Sequence, residues 1–251
     1  MYEEAACTGN GTENDPECWE FTDYAQRVLI GTLCICISLS GLFGNSLVIF
    51  AVYVSRKLRN ATNVFVVNLA VADLITCFFI IPNVIALLAR YEWPFADWIC
   101  ASSAAILMTC VGVSLYTLGA ISINRFILIT KTVTEYQKIY GSKRNIVTWL
   151  LIVWVVPVLV VNLPIIFEVG AVGFNQKYHS CSDLSKTEHE HLYDLIIGLG
   201  LFPIPLVTVV VCYIRIYLHV IRHAQKLATR EDSEVLSTSP NNQSMKIEEN
   251  G

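Results

Sequence analysis

Five long apolar runs constrain this chain more than any other feature of its sequence. A helix needs about twenty apolar residues to cross roughly 30 Å of hydrocarbon, and ordinary soluble domains do not contain such runs. The composition agrees, because 54% of the 251 residues are hydrophobic and only 15% are charged. The sequence therefore predicts an all-α membrane protein, a transmembrane bundle of five helices over residues 27–54, 62–88, 99–129, 146–167 and 192–220.

The lysines and arginines between the runs predict how the bundle is oriented, because these residues are concentrated in cytoplasmic loops. The base-poor side carries four of them, Arg27, Arg90, Lys177 and Lys186. The base-rich side carries ten, namely Arg56, Lys57, Arg59, Lys131, Lys138, Lys143, Arg144, Arg222, Lys226 and Arg230. This asymmetry places the N-terminus outside the cell in a multi-pass protein of the plasma membrane. No continuous basic surface suggests nucleic acid as a partner.

The orientation divides the chain into three parts. Residues 1–25 are predicted to be an extracellular tail, in which Asn10 begins an Asn-Gly-Thr glycosylation signal. Residues 26–223 are predicted to hold the five helices. Residues 224–251 are polar and have no apolar periodicity, so they are predicted to be a disordered cytoplasmic segment.

Asp73 is the residue that fits an apolar run least. It lies in the middle of the second run, where an ionised carboxylate is costly unless it faces a partner or a watery cavity. Asn45 lies at a similar depth on the first run, and Ser114 lies on the third. A carboxylate, an amide and a hydroxyl that meet inside a bundle could hold a sodium ion with waters, or could form a structural polar network without an ion.

Two further features have both a structural and a functional interpretation. Arg125, at the end of the third run, is either an interface arginine that snorkels or a cation that changes partners between two states. Among the cysteines outside the runs or at their ends, Cys100 and Cys181 are best placed to form a disulfide that would hold the loop after the fourth run over the mouth of the bundle. Cys7 and Cys18 offer a second pair.

The ordered motifs of the chain resemble the rhodopsin-like family of G-protein-coupled receptors. The match covers about Gly41 to Arg222, and residues 120–125 are similar to melatonin receptors and to invertebrate orphan receptors. Each motif alone is modest, but the ordered set is specific. Its members are Gly44-Asn45, residues 69–74, Trp93-Pro94-Phe95, Cys100, Asn124-Arg125-Phe126, Trp154, Cys181, Pro205 and Tyr213.

The resemblance implies roles for individual residues in a receptor that binds an extracellular ligand and a heterotrimeric G protein. Asn68 would hydrogen-bond Trp154, and the pair of Leu115 and Pro205 would form a packing switch below the ligand. The sodium and activation site would comprise Asn45, Asp73 and Ser114. The switch at the G-protein side would comprise Asn124, Arg125, Phe126 and Tyr213.

The sequence departs from the family pattern in two places. The usual Asp-Arg-Tyr is Asn124-Arg125-Phe126 here, so Arg125 lacks its adjacent carboxylate, which should weaken the inactive state. No apolar run follows Arg222, although the family has a sixth and a seventh span. Two interpretations remain open, a fragment of a receptor or a truncated isoform that modulates a full-length receptor protomer.

The ligand class is constrained by one position. An aminergic receptor would place an aspartate where Leu107 stands, so a cationic amine is not expected. The apolar character of the matching positions suits a lipid or a neutral ligand, although the same residues could simply pack between helices. These positions are Leu107, Met108, Val111, Ile197 and Leu201.

Two other classes of protein were weighed against a receptor. A transporter commonly has repeated halves and charges at the membrane midplane, and here only Asp73 qualifies. An enzyme is not expected because the sequence contains no assembled catalytic set, and no cofactor other than a sodium ion is implied.

Overall fold

The computed structural model describes residues 23–89, 92–176, 178–184 and 190–238 of the chain. Within these ranges the chain forms seven α-helices, one 3-10 turn and one β-hairpin. In chain order the helices are α1 (Tyr24–Val54), α2 (Ala61–Leu88), α3 (Asp97–Thr130), α4 (Val133–Tyr140), α5 (Lys143–Ile166), α6 (Glu190–Leu201) and α7 (Pro203–Thr238). The 3-10 turn covers Arg56–Leu58, and strands β1 (Val172–Asn175) and β2 (Ser180–Asp183) lie between α5 and α6.

The five predicted spans are confirmed. Four of them are α1, α2, α3 and α5, and α6 with α7 forms the fifth, so that five helical segments are long and apolar enough to cross a membrane. Three of these helices begin at side chains that accept from free backbone N–H groups of the first turn. Asp23 caps α1, Asn60 caps α2 and Ser142 caps α5.

The fifth span is interrupted at Phe202. Pro203 and Pro205 follow, and because proline has no backbone N–H, the carbonyls of Leu199 and Leu201 lose their usual helical donors. The helix therefore ends at Leu201 and resumes at Pro203. The hydrophobicity of the run does not indicate this break; the two prolines within the run do.

The prediction of disorder from residue 224 onward is wrong for residues 224–238, which continue α7 to Thr238. Helix growth is cooperative, so each residue added to the transmembrane helix gains a hydrogen bond without a new nucleation cost. Residues 224–228 (Ala, Gln, Lys, Leu and Ala) are all strong helix formers. Residues 239–251 lie outside the described part of the chain, as do Asn10, Cys7 and Cys18.

The sequence pattern also missed two elements in the loops. The short helix α4 begins with a capping box, in which Thr132 and Glu135 bond each other's backbone N–H groups. The hairpin pairs β1 and β2 antiparallel, with Phe174 opposite Cys181. Both elements are too short and too polar to produce an apolar run.

Helix α3 lies at the centre of the bundle. It contacts α2, α5, α7 and both strands of the hairpin. Its buried positions include many small residues, which allow close approach of neighbouring helices. A Cβ at Gly112 would lie 2.8 Å from Pro157 of α5 and 2.9 Å from Leu201 of α6, so only glycine fits there. The polar groups on α3 are thus brought against several other helices.

Candidate functional site

Asp73 and Ser114 meet inside the bundle. The Ser114 hydroxyl on α3 donates to Asp73 Oδ1 on α2 at 3.0 Å, and both residues are half-buried. Asn45, the third predicted member, donates from Nδ2 to the carbonyl of Gly41 in its own helix at 3.0 Å. Helix α1 packs closely here, because a Cβ at Gly41 would lie 2.8 Å from Cys77 Sγ. The carboxylate and hydroxyl oxygens of this pair fit the preference of a small hard cation.

A second polar group joins three helices one to two turns away on α2. The Trp154 indole on α5 donates to Asn68 Oδ1 at 2.8 Å, which confirms the bond predicted from the resemblance. Asn68 Nδ2 in turn donates to the Thr117 hydroxyl on α3 at 2.9 Å, and Thr117 donates to the Val113 carbonyl at 2.7 Å. Every group in this chain of bonds has a partner, as a low-dielectric interior requires.

Asn124 connects three elements at the side predicted to be cytoplasmic. Its side chain is fully buried, and its Oδ1 accepts a hydrogen bond from the Thr62 hydroxyl on α2 at 2.7 Å. Its Nδ2 donates to the Tyr136 hydroxyl on α4 at 3.3 Å. We call Asn124, Thr62 and Tyr136 the cytoplasmic hub. A neutral amide thus holds α2, α3 and α4 together where the resemblance expects a carboxylate.

Aromatic rings surround the hub and hold α4 in place. Tyr140 lies 5.3 Å from Tyr136 and is stacked on Trp149 of α5, with ring centroids 6.2 Å apart. Phe65 of α2 meets Tyr140 edge to face. Burial raises the pKa of Tyr140 to about 12, and the neighbouring Tyr136 adds to this increase. The phenol therefore stays neutral, and α4 is anchored to the bundle by ring packing.

The other predicted switch residues differ in exposure, and no described hydrogen bond joins them to the hub. Arg125 is exposed, Phe126 is half-buried, and Tyr213 on α7 is 45% exposed. Arg125 therefore presents its cation at the surface, one residue from the fully buried Asn124.

The predicted packing switch lies where α3 crosses the break in the fifth span. Pro205 is buried against α3, since a Cβ at Gly119 would lie 3.7 Å from it, and Leu115 is half-buried. Sequence reasoning missed Tyr116, whose hydroxyl donates to the Gly200 carbonyl at 2.7 Å. This bond attaches α3 to the last turn of α6, next to the proline break.

The hairpin covers the opposite end of the bundle. Cys100 at the start of α3 and Cys181 in β2 form the predicted disulfide, with their Cα atoms 5.2 Å apart. The Cys181 backbone N–H donates to Asn83 Oδ1 on α2 at 3.0 Å. Trp93 packs against Phe174 of β1 with ring centroids 6.3 Å apart. Covalent, polar and aromatic contacts together hold the hairpin over the helix ends.

Two basic side chains are buried at the end of the bundle where the hairpin lies. Arg27 of α1 is 6% exposed and donates from Nη1 to the Ala89 carbonyl at the end of α2, at 3.1 Å. His179, in the hairpin turn, is fully buried with its ring 6.2 Å from that of Phe174. Burial lowers the pKa of His179, the Arg27 cation lowers it further, and a hydrogen bond with the Ala89 backbone opposes both.

Comparison with known proteins identifies the architecture. Residues 44–246 match the family model for the 7 transmembrane receptor (rhodopsin family). The chain belongs to this family.

Relatives of known name agree with this assignment. The receptor is 31% identical to melatonin receptor type 1B-B of Danio rerio, over 82% of this chain and 58% of the relative. It is 34% identical to melatonin receptor type 1B-A of Danio rerio, over 82% of this chain and 69% of the relative. The GQ-coupled rhodopsin of Mizuhopecten yessoensis is also 34% identical, over 80% of this chain and 40% of the relative.

A solved structure shows the same fold. Squid rhodopsin superposes with a TM-score of 0.72 at 23% identity, covering 84% of this chain and 60% of that chain. The receptor chain thus spans little more than half the length of squid rhodopsin and of the first relative.

The five predicted ligand positions of the receptor fall into two groups. Ile197 and Leu201 are buried in a cluster with Val161 and Tyr193, which agrees with the packing interpretation. Leu107 is half-buried, whereas Met108 and Val111 on α3 are both 38% exposed. A cleft of about 410 Å³ between α2, α3 and α5 does not include any of the five; its lining is Ile75, Phe79, Ala105, Ile106, Thr109, Cys110, Trp154, Val158 and Asn162.

Proposed function

We propose that the receptor, with its N-terminus outside the plasma membrane, transmits the binding of an extracellular ligand to a heterotrimeric G protein. The observation that carries this proposal is the cytoplasmic hub. A fully buried Asn124 joins α2, α3 and α4, and the next residue, Arg125, is an exposed cation. A cation beside a set of breakable hydrogen bonds is a two-state element of the kind that ligands bias.

The hub also supports a weak lock on the inactive state. Asn124 has no charge, so Arg125 is not held by an adjacent carboxylate. The two hydrogen bonds of Asn124 hold α2 and α4, and among the described residues no hydrogen bond or ion pair restrains the guanidinium of Arg125. We expect measurable basal coupling, because a charged pair would stabilise the inactive packing more strongly than a neutral amide does.

The ligand is proposed to be neutral and largely apolar. Leu107 occupies the position where an aminergic receptor has an aspartate, and Met108 and Val111 offer apolar surface on the same helix. A cationic amine would leave its charge unpaired against this lining. Melatonin, a neutral molecule for which two of the relatives are named, is the first ligand to test.

A cell assay tests the proposal. The chain is expressed together with the last two spans of melatonin receptor type 1B-B, and G-protein dissociation is followed with and without melatonin. We expect dissociation that depends on both pieces and is lost in Arg125→Ala at equal surface expression. Arg144→Ala, a base at the start of α5, is the matched control and should couple normally. Coupling that survives Arg125→Ala would refute the role proposed for the hub.

A sodium ion is proposed to bind at Asp73. The ion would supply a positive charge that stabilises the carboxylate, while Ser114 orients Asp73 Oδ1 through its 3.0 Å bond. In the completed receptor, raising sodium should lower agonist affinity, and Asp73→Asn should remove this dependence. Potassium at the same ionic strength is the control. A sodium response that persists in Asp73→Asn would show that the ion acts elsewhere.

A further inference from the structure

A cleft between α2, α3 and α5 opens on the outer surface of the bundle. It has a volume of about 410 Å³, and its lining includes Phe79 of α2, Thr109 of α3 and Asn162 of α5. Each of the three helices contacts the other two. Val158, which also lines the cleft, is 39% exposed, so the cleft is open on the side away from the core.

The opening of the cleft faces the bilayer. Helix α1 packs on α2, and α7 packs on α3 and α6. The sixth and seventh spans of the family follow the fifth in the chain, and because consecutive elements lie side by side, they close the bundle between α7 and α1. The cleft lies between α2, α3 and α5, on the side away from that gap. Its opening therefore meets lipid.

Two polar side chains lie next to each other in the cleft. Asn162 Nδ2 donates to the Val158 carbonyl at 2.8 Å and lies 3.5 Å from Thr109 Oγ1. Within the described residues, no hydrogen bond is donated to Asn162 Oδ1, and the Thr109 hydroxyl donates none although the residue is only 8% exposed. Thr76 and Thr117, by contrast, donate to the carbonyl four residues before them.

This pair has the polarity that recognises a hydroxyl group. Because a carbonyl only accepts, the bond to Val158 fixes the amide of Asn162 with its Nδ2 toward the backbone, which leaves Oδ1 as the free acceptor. Thr109 supplies a free donor beside it. An unsatisfied donor and acceptor are costly in hydrocarbon, and a single hydroxyl satisfies both because it donates and accepts. Neither residue is charged, so the pair does not select a charged headgroup.

The depth of the pair indicates how such a molecule is oriented. Helix α5 runs from Lys143 to Ile166, and Trp154 lies at its middle. Asn162 is eight residues farther toward the side proposed to be extracellular, about 12 Å along the axis. Half of the hydrocarbon layer is about 15 Å thick, so the pair lies just inside its outer edge. The cleft continues inward from there along Ile75 and Trp154.

We propose that this cleft binds a sterol of the outer leaflet. The sterol hydroxyl donates to Asn162 Oδ1 and accepts from Thr109, and the fused rings lie inward against Phe79 and Trp154. Phospholipid tails offer no hydroxyl to the pair. Diacylglycerol has a hydroxyl, but its two flexible chains lose more entropy in a compact cleft than a rigid ring system does. The bound sterol holds α2, α3 and α5 together, so membrane sterol stabilises the receptor.

The test uses the whole chain in phosphatidylcholine nanodiscs, with a cholesterol analogue that carries a photoreactive diazirine on its rings as the probe. Mass spectrometry locates the cross-linked peptides. We expect cross-links within residues 75–79, 105–110 or 154–162. Excess cholesterol should prevent them, and excess epicholesterol, which has the same rings but an inverted hydroxyl, should not.

Variants test the two halves of the site separately. Asn162→Leu and Thr109→Val keep the size of the side chain but remove its polar atoms, and each should weaken sterol binding by about five- to tenfold. Ala105→Leu adds a larger side chain to the lining and should remove the cross-links. Thr32→Val on α1 is the matched control and should bind like the wild type, because the Thr32 hydroxyl already donates to the Val28 carbonyl at 2.8 Å.

Three results would overturn the proposal. Cross-links along all five spans that cholesterol does not prevent would show contact with bulk lipid only. Equal competition by the two isomers, or unchanged binding in both Asn162→Leu and Thr109→Val, would show that the pair does not recognise the hydroxyl. Prevention by diacylglycerol but not by cholesterol would assign the cleft to a chain lipid. The assay contains neither agonist nor G protein, so its failure leaves the proposed coupling function untouched.

Discussion

Asn124 combines complete burial with hydrogen bonds to two other elements, α2 and α4. Truncation would leave the hydroxyls of Thr62 and Tyr136 without this partner in a packed region. Sequence reasoning identified Asn124 only through the motif it resembles. Its hydrogen-bond partners, Thr62 and Tyr136, lie sixty-two residues before it and twelve residues after it. Nothing in the sequence around this threonine and this tyrosine indicates that they contact Asn124.

We therefore expect Asn124→Ala to destabilise the receptor by about 2 kcal/mol, since two buried bonds are lost together. Asn124→Asp should be at least as stable as the wild type, because a carboxylate accepts from Thr62, the Tyr136 hydroxyl can turn to donate, and the adjacent Arg125 would pair with the buried charge. Thermal unfolding in detergent measures both. Equal losses in the two variants would show that the neutral amide itself is required, and that a side chain of the same shape with an acceptor oxygen does not replace it.

His179 gives the hairpin a defined pH dependence. Its folded pKa lies below the ordinary value of 6.5, because burial and Arg27 disfavour the imidazolium. The unfolded state therefore binds more protons, so the stabilising contribution is full above about pH 6.5 and is lost as pH falls toward the folded pKa. We expect residues 172–183 to exchange amide hydrogens more readily at about pH 5.5 than at about pH 7.5, after correction for intrinsic rates.

His179→Gln should remove this difference, since glutamine does not titrate. His219→Gln, an exposed histidine of α7, should leave the difference intact. A hairpin whose corrected exchange is the same at both pH values in the wild type would contradict the assignment to His179.

At the scale of elements, the fifth span shows how the helices are joined. Its break at Phe202 lies in an apolar region, and Tyr116 of α3 donates to the carbonyl of Gly200, two residues before the break. The bond fixes α6 relative to α3 close to where Pro205 packs beside Gly119.

Tyr116→Phe removes only the hydroxyl, so we expect a loss of about 1 kcal/mol and faster hydrogen exchange in α6. Tyr217→Phe is the matched control, because Tyr217 on α7 is 65% exposed and should tolerate the change. Thermal unfolding and exchange of α6 peptides measure the pair of variants. Indistinguishable behaviour of the two would mean that α6 is held by apolar packing alone.

The five spans were predictable because each needs about twenty apolar residues, a signal that survives without any knowledge of contacts. Asp73 with Ser114 was predictable because an acid in such a run requires a partner. The Cys100–Cys181 bridge was predictable because Cys181 lies outside the runs and Cys100 lies at the start of one, on the same side of the membrane. The hairpin, α4 and the extension of α7 could not be predicted from apolar runs, since their stability comes from capping, packing and helix propagation. The capping box of Thr132 and Glu135 is the sequence signal that could have indicated α4.

At the scale of the whole molecule, α3 connects the two ends of the bundle. Its first turn carries the disulfide to the hairpin, its middle holds Ser114 and Thr117, and its last turns present Asn124 and Arg125. A change at the ligand end can therefore reach the cytoplasmic hub through one element. Such coupling requires an element with two arrangements whose equilibrium is shifted both by the ligand and by the G protein. The cytoplasmic hub is the candidate for that element.

Basal G-protein dissociation in Asn124→Asp, measured against the wild type in the completed receptor, tests this account most directly. The carboxylate would pair with the adjacent Arg125 while keeping the bonds to Thr62 and Tyr136, so the inactive packing gains stability. The account predicts lower basal dissociation in Asn124→Asp, with agonist still able to activate. Basal dissociation that is unchanged or higher at equal surface expression would contradict it.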